Sequence, residues 1–89
     1  MRIDINHHAQ GLLEFLGQDD ENEVEEYFDE NEINIANGLM VVRYLVDNGW
    51  AKDLSTMGGP DCMLTGIGLA LAQKSLAELR SPARRLGTL

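Results

Sequence analysis

Apolar residues recur with helical spacing in four stretches of this chain, and clusters of Gly, Pro, Asn and Asp separate them. The first stretch predicts a helix from Asn6 or His7 to Leu16. Leu12, Leu13, Phe15 and Leu16 form its apolar stripe, with Gly17 as its expected C-terminal stop. A second helix is expected to open near Asp20, because carboxylates in a first turn suit the positive end of the helix dipole. Val24, Tyr27 and Phe28 fall at i, i+3 and i+4 and define its buried face. Asn34 is a fitting N-cap for a third helix over residues 35–48, with Leu39, Val42, Leu45 and Val46 inward and Ala36 and Met40 extending that stripe. Gly49 fits the left-handed residue that closes such a helix, so Trp50 is expected to open the next element as a largely buried anchor.

Residues 50–56 then predict a strand. Met57-Gly58-Gly59-Pro60-Asp61 is turn chemistry, since glycine permits positive φ and proline cannot donate to a ladder. Cys62, Met63 and Leu64 supply the returning strand, and Thr65 caps a last helix on which Leu69, Ala72 or Gln73, Leu76 and Leu79 recur. Ser81-Pro82 ends that helix. The expected fold is therefore α+β, with about four helices and a two-stranded β-hairpin. The chain divides into one domain over residues 1–80 and a mobile basic C-terminal tail over 81–89.

This order, with Leu45, Gly49, Trp50, Leu64, Thr65, Gly68 and Leu71 in matching places, resembles the winged-helix superfamily. It looks most like small modules of the PadR and MarR type, and the resemblance covers roughly residues 21–79. It implies a winged helix-turn-helix in which the third helix reads DNA bases and the wing holds phosphates. On that alternative reading, a DNA-binding transcriptional regulator, Asn34, Asn37, Arg43 and Lys52 would carry nucleic-acid contacts. Gly38, Val41, Tyr44 and Asp47 are the other expected outward positions of the third helix.

Composition bears on that implication. The 89 residues hold 15 Asp and Glu against 7 Lys and Arg, a formal net charge of −8. Nucleic-acid affinity comes chiefly from cations that neutralise phosphates, so bulk charge disfavours DNA. The expected wing carries one Lys and two Asp, a poor phosphate surface. No Lys or Arg occurs between Arg2 and Arg43, while nine carboxylates crowd residues 19–32. After Cys62 the sign reverses, with Lys74, Arg80, Arg84 and Arg85.

The acidic second helix is accordingly the candidate partner surface, with Glu23, Glu25, Glu26 and Glu30 off its apolar face. A row of carboxylates docks a basic partner or imitates a nucleic acid in an inhibitor, and otherwise it is a solvated helix face. The favoured function is a small non-enzymatic regulatory protein that binds another protein. Reversing those four glutamates to Lys is expected to abolish partner capture with the fold intact. The leucine stripe of the last helix, continued by Leu86, suggests a homodimer.

No catalytic constellation is expected. The serines lack a nucleophile-elbow setting, and Gly58-Gly59 is not followed by a phosphate-loop lysine. No metal or cofactor is expected either: His7 and His8 are adjacent, point about 100° apart on a helix, and have no Cys or His cluster to complete a ligand set. Lone Cys62 reads as a reduced thiol beside the wing. No apolar run approaches the roughly 20 residues of a membrane span. The start of the chain lacks a secretion signal's apolar core, so the expected location is cytoplasmic with no membrane contact.

Overall fold

A computed structural model describes residues 3–79; the segment 81–89, its expected mobility, and Leu86 lie outside the described residues. The elements run α1 (Ile5–Gln18), α2 (Val24–Glu30), α3 (Ile35–Asp47), β1 (Ala51–Asp53), β2 (Cys62–Leu64) and α4 (Gly66–Leu79). The two strands pair antiparallel with Lys52 opposite Met63. This is the predicted α+β layout, a winged helix-turn-helix-like arrangement of four helices and one hairpin.

Asp4 starts α1 by accepting the His7 N–H at 3.1 Å. The helix then runs past Gly17, which is not its stop. A methyl group at Gly17 would lie 2.6 Å from the Ala72 Cβ, so the missing side chain is what lets α4 approach α1. Ser75 donates to the Glu14 carboxylate further along the same seam, which makes the two helices antiparallel.

Helix α2 opens at Val24, four residues later than the charge pattern suggests. Asp19 accounts for the delay. Its carboxylate accepts the Glu21 N–H at 2.9 Å, and the Asn22 amide donates to the Phe15 carbonyl at 2.8 Å, so residues 19–22 turn instead of coiling. Val24, Tyr27 and Phe28 are buried as predicted.

Asn34 caps α3 by accepting the Asn37 N–H at 2.8 Å. The face this helix buries is rotated from the expected one: Gly38, Val41, Val42 and Leu45 are inside, whereas Leu39 and Met40 are 43% and 55% exposed. Packing chose that face. Val41, Val42 and Leu45 meet Leu12, Leu13 and Val24 in the core, and Gly38 admits the rings of Phe28 and Pro60. A methyl there would lie 2.9 Å from each.

The exit from α3 follows the prediction. Gly49 sits at φ 76°, the Trp50 N–H donates to the Leu45 carbonyl at 3.0 Å, and the Gly49 N–H donates to the Val46 carbonyl at 2.9 Å. Trp50 is half-buried instead of largely buried, with its ring edge-on to Tyr44 at 6.2 Å between centroids. Its carbonyl accepts the Thr65 N–H, and Gly68 packs directly on that same carbonyl.

The regular strand is shorter than expected because Asp53 accepts the Ser55 N–H at 2.8 Å and bends the chain out of the ladder. Thr56 and Gly59 exchange hydrogen bonds of 3.1 and 3.0 Å around a tip formed by Met57 and Gly58. Thr65 caps α4: its hydroxyl donates to the Gly49 carbonyl at 2.8 Å and accepts the Gly68 N–H at 3.0 Å. On α4, Ala72 is fully buried and Leu76 half-buried, but Leu69 is 38% exposed and departs from the expected stripe. The side chain of Leu79 lies outside the described residues.

Candidate functional site

The four glutamates assigned to the partner surface are all exposed, but they are not equivalent. Glu23 is the N-cap of α2, and the Glu26 carboxylate accepts its main-chain N–H at 3.0 Å, the returning half of a capping box. Two of the four therefore hold the helix start. Glu25 and Glu30 make no such bond among the described residues and are exposed.

Beneath them the buried face is tied to α1. The Tyr27 hydroxyl lies 3.1 Å from His8 Nδ1, and burial, followed by the Glu14 charge, pushes the phenol above its ordinary pKa. His8 is thereby engaged in a structural contact. Among the described residues no group of three or more His, Cys, Asp or Glu is placed to hold a metal ion.

The residues of the nucleic-acid alternative are spread over the start of α3, its later turns and β1. Asn34 spends its side chain on the cap, and half-buried Asn37 supplies the capped N–H. Arg43 and Lys52 are exposed, on α3 and β1 respectively. Asp53 has its carboxyl held below the usual range, chiefly by the Ser55 hydrogen bonds and also by the Arg43 charge. Gly38 and Val41, expected outward, belong to the interior. What α3 turns to solvent is instead largely apolar: Ile35 is 63% exposed, beside Ala36, Leu39 and Met40.

Sequence reasoning also missed a cleft of about 780 Å³ bounded by the 20–23 segment, α2, the start of α3, the wing and Leu69 of α4. Five carboxylates line it: Asp20, Glu23, Glu25, Asp29 and Asp61. No Lys, Arg or His does so among the described residues. Its apolar lining includes Leu16, Phe28, Ile33, Leu64 and Leu69. Asp61 is far from the acidic block in sequence, so no run or spacing could have joined it to Glu25. Cys62 also lines the cleft, but burial, with the Asp61 and Asp53 charges, pushes its thiol up to about 12, leaving it protonated at neutral pH.

Together these features define an acidic cleft adjoining an apolar outer face of α3 on a winged-helix-like frame. Comparison with family models, curated proteins and solved structures gives no match for this chain.

Proposed function

We propose that this chain is a small, non-enzymatic regulatory protein of winged-helix type that works chiefly by binding another protein. The observation supporting this reading is the exposed face of α3, where Ile35, Leu39 and Met40 stand 63%, 43% and 55% exposed. On the superfamily's plan that helix would lie against bases. Exposed aliphatic and thioether side chains gain little from a phosphate backbone, but their burial against a protein releases water at about 25 cal/mol per Å². Met suits such a surface because its flexible thioether adapts to a partner's shape. Net charge favours the same partner class, because a charge of −8 repels a polyanion.

No helix among the described residues is long and apolar enough to cross a membrane. A cytoplasmic location is part of the proposal. A homodimer through α4 is a further part of the proposal, supported by the exposure of Ile67 at 69% and of Leu69. Sedimentation of the full chain tests it, and a concentration-independent monomer would exclude it.

A photo-crosslinking residue at position 40, with a second at Gln10 as control, tests the main reading in the native cell. A protein adduct at position 40, absent at position 10 and lost with Leu39→Asp, is the expected outcome. A nucleic-acid adduct at position 40 would instead promote the DNA-binding regulator that uses Asn34, Asn37, Arg43 and Lys52. An acidic inhibitor imitating nucleic acid would crosslink through position 25 or 30 and not through position 40.

A further inference from the structure

We propose that the cleft between α2 and the wing takes up an extended basic segment of a partner protein, which adds to β2 as a third strand. This rests on the reading that the chain acts by binding a protein.

The ladder's phase leaves one edge open. The Leu54 N–H donates to the Asp61 carbonyl and the Thr65 N–H to the Trp50 carbonyl, both at 3.0 Å. In the observed register those bonds make Lys52 and Met63 the hydrogen-bonded pair between them. Cys62 and Leu64 occupy the alternate positions, so their main-chain groups point away from β1. The Cys62 N–H is taken there by the Asp61 carboxylate at 2.8 Å. The Leu64 N–H and the carbonyls of Cys62 and Leu64 have no hydrogen-bond partner among the described residues.

The cleft lies on that open side. All three β2 residues line it and no β1 residue does. A strand entering it would lie about 4.8 Å from β2 and pair with the Leu64 N–H and the free carbonyls. An edge of only three residues does not invite indiscriminate pairing, so selectivity falls to the walls.

The walls specify a basic occupant. Asp20, Glu23, Glu25 and Asp29 face the space with no lining cation to neutralise them, which favours Arg or Lys and repels acidic chains. Leu16, Ile33 and Leu69 offer apolar contacts for the intervening residues. An alternation of basic and apolar side chains along an extended backbone satisfies both.

The test uses the full chain and a short blocked peptide alternating arginine and valine, followed by amide NMR and hydrogen exchange. The peptide is expected to slow exchange of the Leu64 amide roughly tenfold and to shift the amides of Asp20 and Glu25. Asp20→Lys combined with Glu25→Lys should weaken it about tenfold with Trp50 fluorescence unchanged. Leu39→Asp should leave it unaltered. Absence of shifts at millimolar peptide would overturn the proposal, as would equal binding of a glutamate-valine peptide or of a peptide N-methylated at its pairing amides. A Leu64 amide already slow in the free chain, and released by Arg84→Glu with Arg85→Glu, would assign the cleft to the chain's own basic segment and overturn a partner strand. Failure at Leu64 alongside a protein adduct at position 40 removes strand addition alone, whereas a nucleic-acid adduct there removes the reading beneath it.

Discussion

The carboxylate of Glu26 receives the main-chain N–H of Glu23 at 3.0 Å across the first turn of α2. The helix has only seven residues, too few to persist without its caps and its packing. Part of the acidic block is therefore structural, and reversing all four glutamates together would mix a folding defect with a binding defect.

Single reversals separate the two effects. Glu26→Lys loses the cap and places a cation at the positive end of the helix, and is expected to cost about 1 kcal/mol in urea unfolding. Glu25→Lys keeps the cap and should lose only the dipole part, less than Glu26→Lys, whereas Glu30→Lys, in the last turn, should stay within about 0.5 kcal/mol of the parent chain. Equal losses at positions 25 and 26 would contradict the assigned roles.

Two glycines of α4 provide a second contrast. A methyl at Gly68 would overlap the Trp50 carbonyl oxygen, a backbone atom that is itself bonded to the Thr65 N–H, whereas a methyl at Gly66 meets nothing within 4 Å. Gly68→Ala is expected to destabilise the domain by roughly 2 to 3 kcal/mol by overpacking. Gly66→Ala should be neutral or stabilising by up to about 1 kcal/mol through helix propensity. Denaturant midpoints compare them directly.

Trp50 contributes less than a fully enclosed indole would. It is half-buried, with Tyr44 across one edge, so Trp50→Ala should cost about 2 kcal/mol, below the roughly 3 to 5 expected of a buried aromatic. Emission of the folded chain is expected between that of hydrated and enclosed indole. A loss above about 4 kcal/mol would show that the residue organises more than its own contact.

Alkaline stability should report Cys62. Its thiol stands at about 12 in the fold against an ordinary 9.0, so between those values the unfolded chain releases a proton that the folded chain keeps. Stability therefore falls as pH rises through that window, by up to about 1.4 kcal/mol per pH unit. Tyr27, raised above its ordinary 10.0, adds to the slope beyond that value. Cys62→Ala should leave only the Tyr27 part, so an unchanged slope in that variant would rule out the thiol as its source.

Local chemistry was legible wherever a residue acts on its near neighbours. Asn34 and Thr65 cap, Gly49 terminates α3 in the left-handed region, and Val24, Tyr27 and Phe28 share a face at helical spacing. Each depends on backbone geometry within a few residues, which the order of residue types already specifies. The acidic block was equally visible, as was its poverty in phosphate-binding cations.

Tertiary packing decided the rest. Apolar residues nearly encircle α3, from Ile35 and Ala36 through Leu39, Met40, Val41 and Val42 to Val46, so periodicity alone does not select the buried side. Contact with Leu12, Leu13 and Val24 does, turning Val41 inward and leaving Met40 to solvent. Gly17 reads as a helix stop until Ala72 requires the space beside it. The cleft brings Asp61 opposite Asp20 and Glu25 along the open edge of β2, residues some forty positions apart in the chain. The sequence by itself determined the order of the elements, the caps of α3 and α4 and the sign of their charge. Which faces meet, and which edge stays unpaired, arises only when α1, α3, α4 and the hairpin compete for one small core, because burial is a property of neighbours and not of the chain's order.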